Sequence, residues 1–150
     1  MRLSDLLKEK NIKIHIEKES KTGVIEELMD LASETGCVVD REVGLQAVLD
    51  REKLMSTGLE KGVAVPHAKS KAVEDIVLTL AISPEGIDFE SADGRLSHLF
   101  FFLLAPEDAA AANVKVLAQI ARLTSNPDVC RDLKRADSAE EVMEIIKAAE

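Results

Sequence analysis

The chain has 150 residues, the length of one ordinary domain, and a domain of that size buries about 70% of its unfolded surface and folds without disulfide or metal staples. A hydrophobic fraction of 46% beside 31% charged residues excludes an intrinsically disordered chain. A net charge of −9, with no Trp or Tyr, argues against nucleic-acid binding, which wants basic grooves and stacking rings.

In chain order, Ile12, Ile14 and Ile16 alternate with Lys13, His15 and Glu17, which predicts a half-buried strand. Ser20 is a helix cap for Ile25, Leu28, Met29 and Ala32 at helical spacing, and Gly36 closes that helix. Asp40 caps a second helix running to about Leu54. Ser56 to Gly62 reads as a loop, and Val63 to Val65 as a short strand stopped by Pro66. Two apolar runs follow, Ile76–Ile82 (broken only by Thr79) and Leu99–Ala105. Runs of that kind suit strands buried on both faces. Between them SPEGIDFESADG holds turns and room for one short strand. Val114, Leu117, Ala118 and Ala121 mark a helix after Pro106. Asn126-Pro127 opens a short one through Leu133. The capping box Ser138-Ala-Glu-Glu141 opens the last. The order is strand, two helices, three or four strands, three helices. It predicts a single α/β domain over residues 1–150, a three-layer α/β/α sandwich around a mixed central sheet.

No apolar run approaches the roughly 20 residues of a membrane span, and the start MRLSDLLKEKN has no stretch suited to a signal peptide. The expectation is a cytoplasmic protein with no membrane insertion. Cys37 and Cys130 then read as free thiols, with a disulfide as the alternative.

Three histidines are candidates for chemistry. His15 falls on the polar face of the first strand, and His98 at the start of a later one, where a local hydrogen bond would satisfy it. His67 follows a strand and a proline, so the backbone entering it is stiff. On pattern alone it reads equally well as an ordinary strand-end residue or as a nucleophilic imidazole. From Arg51 to Lys71 five cations face two carboxylates, a net +3, while the other residues carry −12. Such an island suits a phosphate or another anion, although loops often carry lysines. Scattered histidines with no HExxH or paired cysteines suggest no metal, the loop STGLEKG is not a Walker A sequence, and no cofactor is called for. No GxSxG elbow supports a serine hydrolase.

The segment LDREKLMSTGLEKGVAVPHAKSKAV, Leu49 to Val73, resembles the active-site signature of enzyme IIA of the phosphoenolpyruvate-dependent sugar phosphotransferase system, fructose/mannitol type, which includes the nitrogen-regulatory enzyme IIA. LSDLL near the start, LLAP at Leu103–Pro106 and VLAQIARL after it match in the same order. The resemblance implies an α/β/α phosphotransferase component that carries phosphate on the histidine of the PH dipeptide, His67. It implies Arg51 as a bidentate clamp on the phosphoryl oxygens. It also implies HPr, or its nitrogen-branch equivalent, as phosphoryl donor, and a cysteine of enzyme IIB as acceptor. Asn113 stands where the family usually has a second histidine, and can donate a hydrogen bond but carry no charge. The alternative is the nitrogen-regulatory kind, which signals to a target protein by phosphorylation-dependent binding.

Overall fold

The computed structural model describes residues 2–150. Among them the chain forms six helices and five strands. These are α1 (Leu3–Leu6), β1 (Ile12–Lys13), α2 (Lys21–Ser33), α3 (Arg41–Leu54), β2 (Val63–Ala64), β3 (His67–Lys69), β4 (Val77–Ile87), β5 (Ser97–Ala105), α4 (Ala110–Thr124), α5 (Pro127–Arg135) and α6 (Ala139–Ala149). The strands make one mixed sheet in the order β1-β4-β5-β2, with β3 also on β5. β4 and β5 pair antiparallel through Leu80↔Phe101, whereas β1 lies parallel to β4, and β2 and β3 parallel to β5.

The unbroken apolar run of β5 has a direct physical reading, because successive strand residues point to opposite faces. Leu99, Phe101 and Leu103 enter one core, with Val116 and Ile120 of α4, Leu133 of α5 and Val142 and Ile146 of α6. Phe100, Phe102 and Leu104 enter the other, with Ile25 and Leu28 of α2 and Val48 of α3. The strand is buried twice over, so the three-layer sandwich expected from the two apolar runs is what forms. Cys37 and Cys130 are both free. No helix among the described residues is long and apolar enough to cross a membrane.

Several local details differ from the sequence expectation. The ladder of the first strand covers only Ile12 and Lys13; His15 lies exposed in a bend, although the Ile16 N–H still donates to the Ile82 carbonyl at 3.0 Å. The segment after Ile82 is a continuation of β4, whose register shifts between Ile82 and Ile87. A bulge absorbs Pro84 and Gly86 there, so the turn signals bend the strand without ending it. The capping box is rearranged: Ser138 caps the Glu141 N–H, while the Glu141 carboxylate accepts from Asp137 instead of Ser138. The short α1 was not foreseen, four residues being too few to show a helical period.

Candidate functional site

The site forms where β2 gives way to β3. Both strands run along β5, but Pro66 has no N–H for the ladder and Val65 turns aside to donate to the Thr57 carbonyl at 3.0 Å. His67 resumes the ladder opposite Leu103. Its ring Nδ1 lies 2.8 Å from the Val65 carbonyl oxygen. A carbonyl can only accept, so Nδ1 carries the proton in that bond and the lone pair of the neutral ring resides on Nε2. Burial pushes the His67 pKa below the ordinary histidine range. The Val65 bond works against that shift, the Arg51 charge adds to it, and Glu52 opposes it more weakly. With its pKa lowered the ring is uncharged at neutral pH, and the Nε2 lone pair is available for chemistry.

Arg51 stands in the last turn of α3, where a cation complements the helix dipole, and its Nη1 donates to the Met55 carbonyl at 2.9 Å. The effect of its charge on His67 brings the two residues into one electrostatic neighbourhood. Asn113 lies in the first turn of α4. The register Lys69↔Ala105 puts β3 beside the end of β5 that leads through Pro106 into α4, so Asn113 falls at the same end of the sheet as His67. Asn113 is only 7% exposed and its Oδ1 has no partner among the described residues. No hydrogen bond joins it to His67 or Arg51.

Sequence reasoning missed Glu52, which organises the loop. It is a carboxylate only 8% exposed at the end of α3. It accepts the Thr57 N–H at 2.7 Å and the Thr57 hydroxyl, and it pairs with Lys21 Nζ at 2.9 Å. Burial works against the Lys21 charge, yet Glu52 and Glu90 outweigh it and hold the ammonium pKa above the usual lysine value. The ammonium also lies 5.0 Å from the centre of the Phe89 ring. Ser56 donates to the Phe89 carbonyl at 2.7 Å. A Cβ at Gly58 would come within 2.8 Å of that same carbonyl oxygen, so only glycine lets the loop lie so close. Ser56, Thr57 and Gly58 are thus clamped to α3 and to Phe89, and the loop holds no open backbone nest for an anion. The one sequence signal was a Glu beside Arg51 with Thr five residues on, and nothing in that spacing announces burial.

The basic window divides. Arg51 stays with His67, but Lys61 lies at the other end of β5, next to Gly62, whose carbonyl accepts from His98 and Leu99. His98 is satisfied locally, as expected, with Nδ1 2.9 Å from the Ser83 carbonyl. Near Arg51, Leu54 and Met55 are 82% and 71% exposed, an apolar rim on a loop that is otherwise tied down.

The model of the family described as "Phosphoenolpyruvate-dependent sugar phosphotransferase system, EIIA 2" matches residues 5–149. The chain belongs to that family, and is a phosphotransferase-system component of the EIIA type. It is 33% identical, over 97% of its length, to the PTS system fructose-specific EIIABC component of Bacillus subtilis, of which it spans only 23%. The crystal structure of the nitrogen regulatory protein IIA-Ntr from Neisseria meningitidis superposes with a TM-score of 0.84 at 31% identity, covering 96% of this chain and 98% of that one. Enzyme IIA mannitol of Escherichia coli, solved in complex with phosphorylated enzyme IIB mannitol, gives a TM-score of 0.82 at 25% identity, covering 95% and 97%.

Proposed function

We propose that this chain, as one EIIA domain over residues 1–150, carries a phosphoryl group on Nε2 of His67. The observation that supports this is the hydrogen bond from Nδ1 to the Val65 carbonyl, which leaves the Nε2 lone pair unprotonated beside the Arg51 cation. The donor is an HPr-type phosphohistidine. The Nε2 lone pair attacks phosphorus in line as the donor's N–P bond breaks, and no proton has to leave Nε2 because none is there. The developing imidazolium is held through its Nδ1 proton by Val65. The Arg51 fork donates to the phosphoryl oxygens, and the buried amide of Asn113 adds a neutral donor.

Onward transfer goes to an enzyme IIB cysteine, whose thiolate forms an S–P bond as the N–P bond breaks. Leu54 and Met55 provide apolar surface for such a protein partner. The phosphorylated enzyme IIB mannitol bound to the E. coli neighbour supports that class of acceptor. This reading places the protein in the cytoplasm. The second reading is a nitrogen-regulatory EIIA that signals to a target protein. The likeness to IIA-Ntr favours it, and so does Asn113, a neutral group beside a phosphate that is to be kept. The test is incubation with phosphoenolpyruvate and, in separate reactions, enzyme I with HPr and their nitrogen-branch equivalents, followed by intact mass. The expected result is one acid-labile phosphoryl group, located at His67. An unchanged mass would end both readings.

A further inference from the structure

At the far end of β5 from His67 lies a cavity of about 790 Å³. Its cations come from three separate parts of the chain: Lys61 before β2, Arg95 before β5, and Arg131 and Lys134 on α5. No carboxylate lines it, in a chain whose net charge is −9. The cations are held in place by the fold. Asp93 accepts the backbone N–H of Lys61 at 2.9 Å and that of Arg95 at 3.0 Å, which ties the two loops together. Lys61 sits at φ +62°, a conformation that costs a non-glycine residue free energy. On α5, Pro127, Cys130, Arg131 and Lys134 follow helical spacing and present one face. Arg131 also pairs with Asp128 at 3.1 Å and Asp132 at 3.2 Å, but Lys61, Arg95 and Lys134 form no ion pair among the described residues. Burial pushes the Cys130 thiol up despite the charges of Lys61 and Lys134, so it adds no negative charge.

We propose that this cavity binds a small organic phosphate, with the phosphate or diphosphate group between Lys61, Arg95, Arg131 and Lys134 and an apolar body over Leu96 and Leu99. Lys61, Arg95 and Lys134 form no ion pair among the described residues and, with Arg131, leave a positive excess over the neighbouring Asp93, Asp128 and Asp132, and guanidinium forks match phosphate oxygens. The volume falls in the range of small-molecule sites, roughly 300–1,000 Å³. It exceeds what an inorganic ion needs, and the leucines give the remainder something apolar to contact. The cavity is distinct from the phosphorylation site: Leu99 in its wall and Leu103 opposite His67 are four residues apart on β5, about 13 Å at ~3.3 Å per residue.

The test is an amide chemical-shift titration of the whole chain at about 0.15 M KCl, where exposed charges are screened beyond ~8 Å. ADP, pyrophosphate and adenosine are added separately. The expected result is saturable shifts with ADP at Gly62, Arg95, Leu99 and Cys130, weaker saturation with pyrophosphate and none with adenosine. Lys61→Gly with Lys134→Ala removes two exposed charges, the first at a φ that glycine tolerates, and should weaken ADP binding at least tenfold. Arg95→Ser, on an exposed turn, is an independent second removal with the same expected direction. His67→Ala should bind ADP as wild type does. The proposal is overturned if neither phosphate compound saturates, if the shifts centre on Arg51 and His67, or if the charge-removal variants keep wild-type affinity.

Discussion

His67 and His98 make the same hydrogen bond and are set up for different work. Each ring points Nδ1 at a backbone carbonyl, 2.8 Å from Val65 and 2.9 Å from Ser83. Each is half-buried on or beside β5, and in each the carbonyl accepts from Nδ1 and turns Nε2 away from it. Their surroundings differ. His67 lies in the field of Arg51, whose Nη1 is tied to the Met55 carbonyl, on a segment stiffened by Pro66, and Leu54 and Met55 beyond Arg51 are exposed. His98 is wedged between two glycines: a Cβ at Gly86 would come 2.8 Å from its Cε1, and one at Gly62 3.3 Å from its Cδ2. Both carbons flanking its Nε2 are therefore hemmed in by neighbouring chain. The lesson is that a correct tautomer does not make a nucleophile. His98 also lines the cavity that holds Lys61 and Arg95, so nearby cations alone do not separate the two rings; the crowding of both carbons beside its Nε2 does.

The sharpest way to break this comparison is to delete each ring. His67→Ala should take up no phosphate from HPr, whereas His98→Ala should be phosphorylated at the wild-type rate. The cost of His98→Ala should be in stability, about 1–3 kcal/mol for the Ser83 carbonyl left without its donor, visible as a lowered thermal midpoint. Phosphate on the His67→Ala protein would reverse the assignment. Arg51→Lys comes next. It keeps the charge but loses the planar fork, and by analogy with removal of one oriented donor it should slow phosphorylation about 10²-fold with little change in melting. Equal rates in the two proteins would remove Arg51 from the phosphoryl group.

Glu52→Gln tests whether the clamped loop matters to the ring it supports. The amide can still accept from Thr57 but no longer balances the Lys21 charge. Unfolding free energy should fall by about 1–3 kcal/mol. A wild-type denaturation midpoint would show that the Glu52 network contributes nothing. Asn113 should have a smaller effect on rate. Asn113→Ala should slow transfer roughly tenfold and Asn113→His should speed it, since one neutral donor is worth less than a charged one. Identical rates for all three proteins would leave Asn113 as helix packing only.

The smallest effect is on pH. The folded His67 pKa lies below its unfolded value of about 6.5, so above 6.5 neither state binds the proton. As pH falls below that value the unfolded chain takes up the proton first, and stability declines until the folded ring titrates too. A ring titration by NMR should therefore show a His67 midpoint below 6.5, and Arg51→Ala should move it upward. A wild-type midpoint at or above 6.5 would contradict the assigned surroundings.

The layers were legible because burial on both faces leaves a mark in one dimension. A run such as Leu99–Ala105 has no polar side to show to water, so helices must cover it twice. The stiff entry into His67 was legible for a related reason: a proline before a strand-end histidine is a local feature, and local features survive in sequence order; its role came from the resemblance. Arg51 and Asn113 came from resemblance to a family, not from any period or spacing. Glu52 was hidden because a glutamate in the last turn of a helix normally faces water, and what buries it is the return of Thr57 and the approach of Lys21, 31 residues upstream in the chain.

Sequence alone thus determined the order of the longer helices and strands, the two-faced core, the stiff entry into His67 and the sign of the nearby charge. Tertiary structure alone decided where that charge went. Lys61 lies six residues before His67, yet the strand between them carries it to the opposite end of β5, where it meets Arg95 and Lys134. An extended chain advances about 3.3 Å per residue, so six residues separate two sites that a linear reading counts as one basic island.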